Sequence, residues 1–212
     1  MPLSARRLKQ FAESKYTHER EALEFLREIL PDRDPNFLYS NFEFIAGDGS
    51  VNEIDALIVT QARVFLVELK SRGGIVTGNR HLWDWEKDGH TITVDNPLTL
   101  CNSKAHKLAD LLAKQPAFRN ERTPWIEPLV FLSAPGISVR LQDSERMRIC
   151  EREPRDKRAC ILPALLQRDY FGNESERGPN IDLSVARRVA KALDQAGIRQ
   201  SQRQRRVGDY VL

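Results

Sequence analysis

The run from Asn52 to Gly74, NEIDALIVTQARVFLVELKSRGG, constrains this chain more than any other stretch of it. Two apolar segments, Asn52–Thr60 and Arg63–Lys70, are rich in β-branched residues and read as strands. Only Gln61 and Ala62 separate them, and a link that short joins antiparallel strands, because a parallel crossover needs a dozen residues or more. With the loop centred on Gln61-Ala62, Thr60 faces Arg63 and Val59 faces Val64. Carrying that register on puts Asp55 opposite Glu68, on one face. Lys70 points the same way as Glu68, while Leu69 points to the other side. The register is not secured by turn chemistry. Gln-Ala is not a favoured two-residue turn, and a slip of one residue would carry Asp55 to the opposite face.

Charges inside such apolar runs need a partner, since an unpaired buried charge is costly. Directly opposed strand residues have Cβ atoms roughly 4.5–5.5 Å apart, so two carboxylates there repel unless a cation lies between them. Two readings follow. Lys70 could form a buried ion pair with Glu68 or Asp55. Alternatively, a divalent metal could sit at the two acids, as Mg²⁺ is typically held by one or two carboxylates plus substrate phosphate. Glu19 bears on the choice. A helix is expected from Thr17, as N-cap, to about Leu30, stopped by Pro31. Its apolar stripe is Ala22, Leu23, Leu26, Ile29 and Leu30. At about 100° per residue, Glu19 falls within the stripe, whereas Glu21, Glu24 and Glu28 fall opposite. Glu19 could also be no more than a first-turn partner of the helix dipole. Glu-x-Lys spacing alone is weak evidence. The full set of Glu19, Asp55, Glu68 and Lys70 is more specific and favours the metal reading.

The rest of the chain supplies a mixed α/β domain. Leu3–Ser14 is expected to form a short polar helix. Phe37–Ile45 reads as a strand followed by a GDGS turn. Ile75–Thr77, His81–Glu86 and the HTITVD run are short strand candidates. Asn96-Pro97 precedes a helix from about Thr99 to Lys114, and Pro128–Ser133 is a buried strand. The stretch from Gln142 to Gly178 is charged and irregular. Asp182–Ala196 is an amphipathic helix ending at Gly197. The 212 residues suffice for one domain, or one domain with an appendage. A net charge of +3 is too small to establish a nucleic-acid partner, so any basic footprint must be local. The 3 cysteines are far apart with no CxxC pair, which suggests neither a zinc site nor a disulfide framework. A reducing cytoplasm is the simplest setting. No apolar run approaches the roughly 18 residues of a membrane span, and the N-terminus lacks the apolar core of a signal peptide.

Several side chains are weighed as secondary candidates. Trp83 and Trp85 share a strand face and could stack on bases, but core packing is favoured. Lys104, Lys107 and Lys114, with His106 beside them, lie on the Asn-Pro helix. Phosphate contact and a solvated helix face fit them equally. Arg72, Arg80 and His81 flank the charged strands and are better candidates for nucleic acid. Arg187, Arg188 and Lys191 read as the wet face of the last helix.

A helix acid, a strand Asp, then Glu-x-Lys on the next strand resembles the PD-(D/E)xK pattern of restriction-endonuclease-like enzymes. Within that group the chain resembles the nuclease-related domain (NERD) family over about residues 15–135. Glu19 matches the family's helix acid. EIDALIV matches its Asp strand, and RVFLVELKSRGG its Glu-x-Lys strand, with Arg63 where Gly is common. Asn96-Pro97 and LVFLS match its later elements. The family's Gln four residues after that Asn is Leu100 here, with Asn102 or Lys104 as candidate substitutes. The resemblance implies a mixed central sheet flanked by helices and Mg²⁺- or Mn²⁺-dependent hydrolysis of phosphodiester bonds in DNA, with RNA as the other choice. It implies Asp55, Glu68 and the Leu69 carbonyl as metal ligands. Lys70 would orient or deprotonate the attacking water or stabilise phosphate charge, and Glu19 would bind a second metal or its water. It also implies homodimerisation as a common state. The tail RQSQRQRRVGDYVL starts as a basic, disordered-looking run, and VGDYVL resembles the first strand of a protein kinase. Residues 1–198 are thus expected to be the nuclease-like domain. Residues 199–212 are expected to be a basic linker and the start of a kinase domain. NERD followed by a Ser/Thr kinase resembles bacterial phage-defence kinases of the phage growth limitation (BREX-type) group, so further phage-defence proteins are implied partners. The alternative is a catalytically silent nucleic-acid-binding or regulatory module that positions the kinase.

Overall fold

In the computed structural model, which describes residues 1–14, 16–154, 159–172 and 180–200, two sheets carry the chain. The elements in order are β1 (Leu8–Gln10), α1 (Thr17–Ile29), β2 (Phe37–Ile45), β3 (Val51–Val59), β4 (Val64–Lys70), β5 (Ile75–Gly78), β6 (Leu82–Lys87) and β7 (His90–Asp95). They continue with α2 (Pro97–Ala113), β8 (Ile126–Leu132), β9 (Ser138–Val139), α3 (Asp143–Arg146), β10 (Ile149–Glu151), α4 (Ile161–Leu166), α5 (Leu183–Gln195) and β11 (Arg199–Gln200). The main sheet runs β1-β2-β3-β4-β8-β10, with β11 also pairing β2. The β2-β3-β4 meander is antiparallel, and β4-β8 and β8-β10 are parallel. The small sheet runs β7-β6-β5-β9. A mixed sheet flanked by helices is the expected restriction-endonuclease-like architecture.

The sheet buries both faces, which is why its central strands are apolar on both sides. One face carries Leu57, Val59, Val64 and Leu66 against Cys101, Ala105 and Leu108 of α2 and Ala186 and Val189 of α5. The other carries Ala56, Ile58, Phe65, Val67 and Leu69 against Ala22, Leu23 and Leu26 of α1 and Leu165 of α4. Trp83 and Trp85 are both buried, in a third cluster with Val130 and Leu132. They are core residues, as favoured.

The hairpin register is the one the sequence predicts: Val59 pairs Val64 and Ala56 pairs Val67. Thr60 holds the unfavoured Gln61-Ala62 turn. Its N–H donates to the Arg63 carbonyl at 2.9 Å and its hydroxyl accepts from Ala62 N–H at 3.2 Å. The same hydroxyl donates to the Leu165 carbonyl at 2.6 Å. A side chain thus supplies what the turn sequence lacks.

Three expectations are corrected. Leu3–Ser14 is not a helix: a 3₁₀ turn at Ala5–Arg7 leads into β1, which pairs in parallel with Leu38–Ser40 of β2. Leu3 is fully buried and its N–H donates to the Arg27 carbonyl, so tertiary contacts outweigh local helix propensity. Thr17 is the first helical residue of α1; Tyr16 is the N-cap and makes no side-chain capping bond. Within Gln142–Gly178 the described residues form α3, β10 and α4. Arg199 and Gln200, expected in the linker, pair with Glu43 and Phe42 of β2. The expected kinase-like strand lies outside the described residues. Among the described residues no helix is long and apolar enough to cross a membrane.

Candidate active site

Asp55 lies one step beyond the last β3-β4 pair, at the end of the ladder. Its carboxylate accepts the Leu69 N–H at 2.8 Å, so the side chain replaces a backbone bond that the strand would otherwise supply. The ladder to β2 also opens here. Ser40–Ala56 and Phe42–Ile54 pair, but Asn41, opposite Asp55, does not. Asn41 has φ 55°, in the left-handed region that Asn tolerates better than most residues, and its amide donates to the Ala12 carbonyl at 2.9 Å. Asp55 is therefore at a local gap between two neighbouring strands.

Glu68 is 2% exposed and carries two counter-charges. Lys70 Nζ lies 2.8 Å from Oε1, and Lys104 Nζ lies 2.8 Å from Oε2. Lys104 reaches across from α2, which packs on this face of β4. Asn96 fixes that helix. It accepts from the Leu98 N–H at 2.9 Å as N-cap and donates to the Asn79 carbonyl at 3.2 Å, tying α2 to the β5-β6 turn. Below Glu68, Cys101 Sγ donates to the Leu66 carbonyl at 3.3 Å. Burial pushes the Cys101 thiol up to about 12, with the Glu68 charge and, more weakly, the Asp55 charge adding to it. Both acids thus act on the same buried thiol.

Burial pushes the Glu68 carboxyl up, but the Lys104 and Lys70 charges and their hydrogen bonds outweigh it and hold the group below the ordinary glutamate value. The carboxyl is ionised in the fold at a pH where the unfolded chain would protonate it. Its stabilising contribution is complete above the ordinary value of 4.5 and is lost as pH falls below it. Urea unfolding followed from pH 7 to pH 3 is expected to show a loss of stability below roughly pH 4.5 that is diminished in Glu68→Gln. Equal losses in both proteins would refute the assignment.

The structure brings together Asp55, Glu68, Lys70 and Lys104. Glu19 is not with them. It starts α1 on the opposite face of the sheet, half-buried, with its carboxylate accepting from Ser14 Oγ. Among the described residues no three of His, Cys, Asp and Glu converge to hold a metal ion. Leu100 is 52% exposed, so the position of the family's Gln faces away from the site and Lys104 fills the place beside Glu68. Lys107 is tied to the β2-β3 turn, 2.9 Å from Asp48 Oδ2 and 2.8 Å from Ser50 Oγ. Arg72, Arg80 and His81 are exposed, and Arg80 Nε donates to His81 Nε2 at 3.1 Å. Lys104, weighed as a phosphate contact, as part of a solvated helix face and as a stand-in for the family's Gln, is buried and pairs with Glu68. The missed signal was periodicity: Lys104 shares the buried stripe of Cys101, Ala105, Leu108 and Leu112, by the same spacing that singled out Glu19.

Residues 14–133 match the nuclease-related domain model. The chain is 35% identical over 201 residues to the probable kinase PglW of Streptomyces coelicolor, across 94% of this chain. It spans only 12% of that relative's length. No solved structure matches it. With the helix, hairpin, Asn-Pro helix and parallel strand all inside the matched span, the chain belongs to the nuclease-related domain (NERD) family.

Proposed function

We propose that this chain is a Mg²⁺- or Mn²⁺-dependent nuclease domain of PD-(D/E)xK type that hydrolyses phosphodiester bonds in DNA. We place it in a bacterial phage-defence protein that also carries a Ser/Thr kinase. One observation carries the reading: two carboxylates and two lysines from three different elements meet at the gap beside Asp55. The donor set suits a hard cation, because carboxylate oxygens from Asp55 and Glu68 are its preferred ligands and substrate phosphate completes the shell. A bound ion would supply charge compensation at phosphorus and a water acidic enough to attack at neutral pH.

The chain's own residues do the rest. Asp55 and Glu68 would hold the cation, with the Leu69 carbonyl as a further ligand. Lys70, with a side chain 29% exposed, can leave Glu68 and turn toward the phosphate or the attacking water. Lys104, 11% exposed, stays as the inner counter-charge to Glu68. Glu19, at the start of α1, would act on a second metal or its water rather than on the ion held by Asp55 and Glu68. Arg72, Arg80 and His81 lie exposed for contact with the DNA backbone. The kinase reading rests on the name of the relative and on the small fraction of its length that this chain spans.

A second reading is supported by the two ammonium groups that already occupy both Glu68 oxygens, and by the absence of a third convergent acid among the described residues. On that reading the domain binds nucleic acid without cutting it and controls the kinase. Titration with Mn²⁺ during thermal unfolding separates the two. Under the nuclease reading Mn²⁺ raises Tm in a concentration-dependent way, and Asp55→Ala abolishes the rise. No shift in the unmodified chain, with DNA still bound, would move the conclusion to the silent module.

A further inference from the structure

The surface beside the Lys70 end of β4 carries an aromatic pair. Tyr16 and His18 stack with ring centroids 5.5 Å apart and planes 21° apart. Both are exposed, Tyr16 by 53%. Their place is fixed by the next residue along β4. Ser71, which follows Lys70, donates its hydroxyl to the His18 carbonyl at 3.4 Å and contacts Ser133 Oγ at 2.6 Å. The first turn of α1 is thereby docked on the end of the strand that carries Glu68 and Lys70.

The pair has no evident structural task. Tyr16 precedes α1 without a side-chain capping bond, and neither ring belongs to a buried cluster. Arg20, on the same turn, donates to the Ser14 carbonyl at 2.8 Å and to Thr17 Oγ1 at 3.0 Å, which stiffens the segment from which the rings project. Arg72, two residues beyond Lys70, is exposed and cationic. A stacked aromatic pair with an exposed ring face, docked on a segment that also carries an exposed cation after β4, suits a nucleobase and its phosphate. A base inside a duplex has no free face to offer, whereas an unpaired base does.

We propose that Tyr16 and His18 form a stacking platform for an unpaired nucleobase beside the scissile phosphate, so that the domain prefers single-stranded segments to blunt duplex. This rests on the nuclease reading of the neighbouring site. The test is fluorescence anisotropy with a labelled oligothymidylate and a blunt hairpin duplex of equal nucleotide number, in EDTA so that no strand is cut. Tyr16→Ala is expected to weaken single-strand binding by about fivefold or more, to leave duplex binding unchanged, and to be matched by His18→Ala. Tyr16→Phe keeps the ring and is expected to stay within about twofold of the unmodified chain. Single-strand affinity unchanged in Tyr16→Ala, or lost equally for both ligands, would overturn the platform while leaving the nuclease reading intact. An unmodified chain that binds neither ligand would overturn both.

Discussion

Nicking of supercoiled plasmid in Mg²⁺ or Mn²⁺ is expected to fall by about 100-fold or more when Glu68 is replaced by Gln. A metal ligand supplies several kcal/mol of transition-state stabilisation, and each 1.36 kcal/mol is a factor of ten in rate. Glutamine keeps the volume of the side chain and loses the charge that both lysines neutralise. Lys70→Ala is expected to lose nicking as well, because of the two lysines that pair with Glu68 it is the more solvent-accessible: its side chain is 29% exposed against 11% for Lys104. Circular dichroism on each variant separates lost chemistry from lost fold. Full nicking by folded Glu68→Gln would remove this acid from the mechanism. No nicking by any version, with DNA bound by all, would favour the silent module.

The largest stability effect is expected at the other end of the same strand pair. Glu127 on β8 is fully buried. Arg63, 3% exposed, approaches it at 3.8 Å, Arg148 Nε donates to its Oε1, and Trp125 Nε1 donates to Oε2 at 3.2 Å. Removing one partner of a buried ion pair typically costs about 3–5 kcal/mol, because the charge left behind stays desolvated. Glu127→Ala is therefore expected to lower the urea unfolding free energy by that amount. Replacing Glu127 and Arg63 together with Leu and Met is expected to cost less than the sum of the single changes, since the one charge left without its acid is Arg148, whose side chain is 21% exposed and reaches water. A loss of less than about 1 kcal/mol in Glu127→Ala would show that the network contributes no more than a surface ion pair does.

Much of the site was legible because strand period and a two-residue link leave few arrangements. Val59 had to meet Val64 once the hairpin closed, and Asp55 and Glu68 followed. The parts that escaped depend on residues far apart in the chain. Thr60 secures the turn through Leu165, which no local pattern predicts. Arg148 reaches Glu127 from 21 positions away, so a lone acid in an apolar strand gave no hint of its partners. Lys104 was readable in principle from the helical spacing it shares with Cys101, Ala105 and Leu108, but lysines are mostly solvated, so residue type alone points away from a buried place. Leu3–Ser14 failed for the opposite reason. Its local composition suits a helix, yet the open edge of β2 offers backbone bonds and α1 offers a pocket for Leu3.

The parallel pair β4-β8 thus holds a buried carboxylate toward each end, and the two differ in the kind of base that neutralises them. Guanidinium groups are charged at every attainable pH and lock planar, forked geometry, whereas an ammonium is a compact charge on a flexible stem. The Glu127 end is suited to permanence. The Glu68 end is suited to turnover of its counter-ion, with an incoming cation able to take a lysine's place and the freed lysine able to meet the anion that follows. A Lys70→Arg substitution would remove that contrast, trading a replaceable neighbour for a fixed clamp within the same net charge.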